Sequence, residues 1–221
     1  MKNLTIIPAR CGSKRIPGKN IKFLGSKPLL AYSIEYALNH PDLAGQIMVS
    51  TDCDRIAEVA SRYPVSIHRR PAALAGDDTP TADVLKHILD NTDLSPEFVT
   101  LLQPTNPFRP ENLWQEAFTA LQTSGKKSLF TVTPIVKKLG KIRDHRFVPF
   151  NYRFGQRSQD MEPLYYENGM LYISHASMIR EAKIMDDQSL AFIINHIFAS
   201  VDIDTEEDWL YAEFILKKFN L

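Results

Sequence analysis

Short apolar runs alternate with amphipathic stretches through the first half of this chain, and that alternation constrains its fold more than any other feature. Leu4, Ile6 and Ile7 make a strand-type run that Pro8 closes. Pro28 then opens a helix over Leu29–Leu38, with Leu30, Ile34, Ala37 and Leu38 on one face. Residues 46–50 read as a buried strand, and Thr51, Asp52 and Asp54 supply caps for a helix carrying Ile56, Val59, Ala60 and Tyr63. Strand–helix–strand–helix order predicts an α/β protein with a parallel sheet.

The later segments extend the pattern. Residues 65–67 are a weaker third strand, followed by a polar loop over 68–78 long enough to serve a site. Thr79 and Pro80 start a helix with the apolar stripe Val84, Leu85, Ile88 and Leu89. Residues 98–102 form the strongest central strand, and Pro110 opens a helix stacking Leu113, Ala117 and Leu121 at four-residue spacing. Residues 128–133 are a further strand. From Pro134 the character changes: 137–166 carries dense charge and scattered aromatics without a helical period, which predicts hairpins and loops projecting as a small lobe over about 134–167. Residues 169–174 return to a strand, 176–183 form a short helix, and 197–204 a last strand. Thr205 caps a final helix with the seam Trp209, Ala212, Leu216 and Phe219. The expectation is one domain over 1–221.

Lys+Arg 26 against Asp+Glu 26 leaves no net charge, so nothing in the overall balance argues for nucleic acid or an anionic membrane as partner, neither is expected, and basic clusters are judged locally. The chain contains 2 cysteines, Cys11 and Cys53, without metal-ligand spacing, which fits reduced thiols in a cytoplasmic protein. No apolar run approaches the ~18 residues of a membrane span, and the first strand begins without a signal-type segment.

Chemistry concentrates at three places. After the first strand, Arg10, Lys14, Arg15 and Lys19 arrive with Gly12 and Gly18, whose backbones turn sharply and approach a ligand closely. This loop is either a polyphosphate cradle or a solvated basic loop, and it fits neither the P-loop nor the dinucleotide fingerprint. Gln103 follows the central strand, where residues face the ligand crevice of a parallel sheet, although a turn-stabilising amide would sit there too. Asp202 and Asp204 alternate on the last predicted strand and so share a face, a pattern suited to a hard cation such as magnesium unless one merely caps the next helix. A cationic loop plus a distant acidic pair suggests phosphoryl or nucleotidyl transfer.

The run Ile6-Ile7-Pro8-Ala9-Arg10 with Gly12-Ser13-Lys14 and Pro17-Gly18-Lys19-Asn20 resembles the nucleotide-binding motif of the acylneuraminate cytidylyltransferases, or CMP-sialic acid synthetases. Further matches follow in order: Val49-Ser50-Thr51-Asp52, Arg70-Pro71 with Leu74-Ala75, Leu101-Leu102-Gln103-Pro104-Thr105, Asn168-Gly169 with Tyr172-Ile173, and Asp202-Ile203-Asp204-Thr205. The resemblance implies a Rossmann-like three-layer nucleotidyltransferase fold with a mainly parallel sheet and a projecting dimerisation lobe. It implies that Arg10, Ser13, Lys14 and Lys19 hold the triphosphate of CTP, that Asn20 lies near its ribose, and that Arg70 and Thr81 flank the cytosine. It places Gln103 and Tyr172 beside a nine-carbon sugar acid and magnesium on Asp202 and Asp204, in a homodimer.

Where many members of that family have Arg-Arg-Gln-Asp, this chain reads Arg157-Ser158-Gln159-Asp160, and a position basic in some sialic-acid enzymes is Tyr166. Serine cannot replace a bidentate donor, so either Arg157 takes over the role in sugar binding or the sugar differs from ordinary sialic acid. Two alternatives use the same residues: a cytidylyltransferase for another keto sugar acid such as ketodeoxyoctonate, and a catalytically silent nucleotide-sugar sensor. The complete cationic loop together with both aspartates argues against silence.

Overall fold

The computed structural model describes residues 3–221; Met1 and Lys2 of the expected 1–221 domain lie outside them. In chain order the regular elements begin with β1 (Asn3–Pro8), the short pair β2 (Phe23–Leu24) and β3 (Lys27–Pro28), α1 (Leu29–Leu38), α2 (Pro41–Ala44), β4 (Gln46–Thr51), α3 (Asp54–Ala60) and β5 (Ser66–Arg69). They continue through α4 (Thr81–Asp90), β6 (Phe98–Leu101), α5 (Leu113–Ser124), β7 (Ser128–Ile135), β8 (Gly140–Arg143), β9 (Arg146–Pro149), β10 (Leu164–His175), α6 (Ala176–Arg180), β11 (Leu190–Ile193) and α7 (Glu206–Phe219).

Seven strands form one sheet in the order β11-β7-β10-β6-β1-β4-β5. β1 runs parallel to β4 and β6, β4 parallel to β5, and β11 parallel to β7, whereas β10 is antiparallel to both its neighbours. The sheet is therefore mainly parallel, as expected. Period-two alternation distributes its side chains between two layers of helices. On one face Ile7 and Val49 pack with Leu30, Ile34, Trp114, Phe118 and Trp209 of α1, α5 and α7. On the other, Leu4, Ile6, Val99 and Leu101 pack with Val84, Leu85 and Ile88 of α4 and Ile179 of α6. The α4 stripe is thus a core face.

Because β4 lies on one side of β1 and β6 on the other, the order of connection reverses between β1 and β6. Ligand crevices form at such a switch point, beyond the carboxyl ends of the strands. The cationic loop leaves β1 there and Gln103 follows β6.

The expected last strand over 197–204 is not one. Residues Ile197–Ser200 form a 3-10 turn, and residues 201–204 are extended but outside the sheet. Their backbone is held individually, with Ile203 N donating to Thr105 O at 2.9 Å and Asn106 Nδ2 donating to Val201 O at 3.0 Å. Partners supplied by a loop and a side chain replace a ladder. The alternation survives in the extended backbone: Val201 and Ile203 are buried while Asp202 and Asp204 face outward. The edge strand β11 was not anticipated, since Leu190 and Phe192 alternate over only four residues. The helix expected over 176–183 stops at Arg180, and Ala182 has φ 55°. Thr205 caps α7 as expected, in a reciprocal box with Asp208, and Ile215 joins the buried seam whereas Phe219 is largely exposed.

Between β7 and β10 the hairpin β8–β9 pairs from Gly140↔Pro149 to Arg143↔Arg146 as a separate ribbon. Its turn uses Asp144 and His145 at φ 46° and 62°, both left-handed, which matches the twist of a tight hairpin. This segment leaves Val136, Ile142, Phe150 and Phe154 exposed.

Candidate functional site

The loop after β1 is built from its two ends. Ala9 N donates to Ser50 O at 2.9 Å, continuing the strand pairing for one residue, and Cys11 N donates to Asp52 Oδ1 at 2.9 Å. At the far end the buried Asn20 donates from Nδ2 to Arg10 O at 3.0 Å, so the loop closes on itself around its own basic side chains. Gly18 at φ 65° makes the turn into the short 3-10 segment Lys19–Ile21. Cys11 and Cys53 are free thiols with Sγ atoms 2.8 Å apart.

A cleft of about 510 Å³ opens above this loop. Its wall includes Arg10, Ser13, Lys14, Lys19 and Asn20 from the loop, Arg70 after β5, Thr81 at the start of α4, Gln103 after β6, and Asp204 near the opposite end of the chain. Nine of the residues singled out by sequence therefore share one cavity. Lys19 links the two chain ends: Nζ donates to Ile203 O at 2.6 Å and to Asp204 Oδ1 at 2.9 Å, with its side chain only 11% exposed. Arg15 Nη1 approaches Asp204 Oδ2 at 3.5 Å. Arg70 is buried and held by Ser50, through Nε to Oγ at 3.2 Å and Nη2 to O at 2.9 Å. Burial lowers its pKa, and the nearby Asp52 charge works the other way.

Three predicted residues lie elsewhere. Tyr172 is buried and not part of the cleft wall, its hydroxyl donating to Glu167, and burial followed by that carboxylate pushes its pKa well above the tyrosine range. Arg157 is exposed in the segment between β9 and β10 and is paired with Asp160, Nε to Oδ2 at 2.8 Å and Nη2 to Oδ1 at 3.0 Å. Asp202 stands beside the cleft rather than in its wall. The protein around it raises its carboxyl pKa, a hydrogen bond from Thr105 opposes this, and the neighbouring Asp204 adds to it.

Among the described residues, no group of three or more His, Cys, Asp or Glu is placed to hold a metal ion. Asp202 and Asp204 together still fit magnesium, which takes one or two carboxylates and completes its shell with water and substrate phosphate oxygens. Burial is the main cause of the raised Asp202 pKa, and the smaller contribution from the Asp204 charge is a repulsion that a cation would relieve.

Sequence reasoning assigned no role to three contributors. Asp77 reaches both Arg10 and Lys14, and these donors hold its carboxyl below the usual range, Lys14 contributing most. Only the polarity of its loop signalled it. Arg109 is buried and donates to Met170 O at 2.7 Å, Ser33 Oγ at 3.1 Å and Gln103 O at 2.9 Å, so it fixes the turn that presents Gln103. Gly169 completes this support at φ 76°: a Cβ there would stand 2.7 Å from Asn106 Oδ1 and 2.9 Å from Gln103 Oε1. Asn106 is fully buried and cannot yield. Gly169→Ala is therefore expected to displace the Gln103 amide and, with the left-handed backbone, to cost about 2 kcal/mol. Thermal unfolding should register a drop of about 4–8 °C.

A model of the cytidylyltransferase family matches residues 4–207 of the chain. CMP-N,N'-diacetyllegionaminic acid synthase of Legionella pneumophila is 36% identical, covering 98% of this chain and 97% of that protein. N-acylneuraminate cytidylyltransferase of Streptococcus agalactiae is 31% identical over 96% of this chain, which spans 52% of that relative's length. Among solved structures, CMP:2-keto-3-deoxy-manno-octonic acid synthetase complexed with CTP superposes with a TM-score of 0.74, covering 99% of this chain and 100% of that one at 14% identity, a likeness of fold.

Proposed function

The chain belongs to the cytidylyltransferase family, and from that membership we propose that it joins CTP to a nonulosonic, sialic-acid-like sugar, releasing pyrophosphate and the CMP-sugar. The observation that carries this reading is the convergence of Arg10, Lys14, Lys19 and Arg70 with Asp204 in one cleft. The three loop cations match a triphosphate, Arg70 stands apart from them where the base would lie, and a carboxylate among the cations suits a site that also binds a metal. The Legionella relative, alike in length from end to end, supports a legionaminate-type sugar.

In this reading Arg10, Ser13, Lys14 and Lys19 grip the triphosphate, Asn20 holds the loop beside the ribose, and Arg70 and Thr81 border the base. Gln103 faces the sugar acid. Tyr172 is not part of that wall, and Arg157 lies in the lobe. The sugar's anomeric hydroxyl attacks the α-phosphorus in line. Asp202 and Asp204 would hold magnesium, which when bound would supply charge neutralisation for the transfer. Arg10, Lys14 and Lys19 stabilise pyrophosphate as the bond to it breaks.

Residues 134–167 form the small lobe of the single domain, and their exposed Val136, Ile142, Phe150 and Phe154 support packing against a second copy of the chain. Among the described residues no helix is long and apolar enough to cross a membrane, which is compatible with work in the cytoplasm. The test is a panel: CTP, GTP and UTP against N-acetylneuraminate, N,N'-diacetyllegionaminate, pseudaminate and ketodeoxyoctonate, scored by magnesium-dependent pyrophosphate release. Turnover is expected with CTP and a nonulosonic acid. Turnover confined to ketodeoxyoctonate, or CTP binding without pyrophosphate release, would overturn the reading.

A further inference from the structure

The cations of the phosphate loop are partnered within the chain, and by two carboxylates with different prospects. Asp204 takes Lys19 and Arg15, and as a candidate metal ligand it has somewhere else to turn when substrate arrives. Asp77 takes Arg10 with one carboxylate oxygen and Lys14 with the other, and it has no such second partner. It stands on the exposed loop between β5 and α4, whose preceding residues are fixed through buried Arg70, so it reaches across the cleft from the wall opposite the loop. Arg10 and Lys14 thus meet a bidentate anion in the same place where a phosphate group would bridge them.

We propose that Asp77 is a resident counter-ion of the phosphate loop, exchanged for nucleotide phosphate oxygens when substrate binds and returned to Arg10 and Lys14 when pyrophosphate leaves. The proposal rests on the reading of this cleft as a triphosphate site. Without a counter-ion, Arg10 and Lys14 would repel each other; with one, they are held near the geometry that the phosphates require. The tether makes the competition selective. A carboxylate fixed to the same chain acts at a high effective concentration, so an anion that engages one cation loses to it. A polyphosphate that also reaches Lys19 wins. Asp77 on this account tunes discrimination and product release as a positioning residue and does not touch the reacting phosphorus.

Asp77→Asn keeps the side chain's size and one of its two acceptors but removes the charge. Isothermal titration with inorganic phosphate and pyrophosphate should show both binding about five- to tenfold more tightly than to the unaltered protein, with a smaller gain for CTP. Product inhibition by pyrophosphate should strengthen by the same factor, and KM for CTP and kcat should fall together, as expected when release becomes limiting. Asp77→Glu should restore the original values, which a merely structural role for the loop would not produce. Unchanged or weaker pyrophosphate binding by Asp77→Asn would overturn the proposal. If pyrophosphate tightens in the variant while neither protein binds CTP, the counter-ion stands and the cytidylyltransferase reading falls.

Discussion

Asp204→Asn is expected to lower kcat for CMP-sugar formation by at least about 10²–10³-fold, the range associated with losing one group that stabilises charge in the transition state. The fold should persist: Asp204 is outward-facing, and its backbone lies between the buried anchor Ile203 and the α7 cap at Thr205, neither of which uses its side chain. Asn retains the acceptor for Lys19 Nζ, so what disappears is charge rather than contact. Asp202→Asn separates catalysis from stability. Folding raises the Asp202 pKa, so above its unfolded pKa ionised Asp202 detracts from stability, and this penalty is absent only when pH falls low enough to protonate it. The neutral amide should therefore raise Tm slightly at pH 7 while also losing activity. Near-normal pyrophosphate release by Asp204→Asn would remove the acidic pair from the mechanism, and a lower Tm for Asp202→Asn would contradict the electrostatic account.

Arg109→Met is expected to be the most destabilising single change around the site, by about 3–5 kcal/mol, because buried polar groups stripped of a charged partner are left without solvent. The Met170 and Gln103 carbonyls lose their Arg109 donors, as does the Ser33 hydroxyl its partner. Burial already draws the guanidinium pKa down to about 10, yet it stays protonated at neutral pH, held by dipoles of three elements. At about 2–4 °C per kcal/mol for a chain of this size, Tm should fall by roughly 6–20 °C. Activity measured well below the new Tm should still be reduced, since the turn carrying Gln103 has lost its brace. A Tm within 2 °C of the parent would show that these groups find other partners.

How much of this was legible beforehand depends on the distance over which each constraint acts. The helices from Pro28 and Thr205 and the α4 stripe were readable because caps and apolar spacing are set within a few residues. Residues 197–204 were misread as a strand because Val201 and Ile203 alternate with aspartates whether or not a neighbour supplies a ladder. β10 was found, but its antiparallel direction was not, since direction is a property of the chain's route and not of the residues in a strand.

The same division runs through the site. Residue types and short-range order by themselves determined an α/β chain with a basic, glycine-bearing loop after its first strand, a glutamine after a central one and alternating aspartates near its end, because propensity, capping and strand alternation are local properties of a polypeptide. Only the tertiary structure decided that Lys19 meets Asp204, that Asp77 bridges Arg10 and Lys14, that Arg109 braces Gln103, and that Arg157 stays outside the cleft. Those pairings join segments with no sequence relation to one another, and a charge carries no record of which distant partner the folded backbone will place within reach of it.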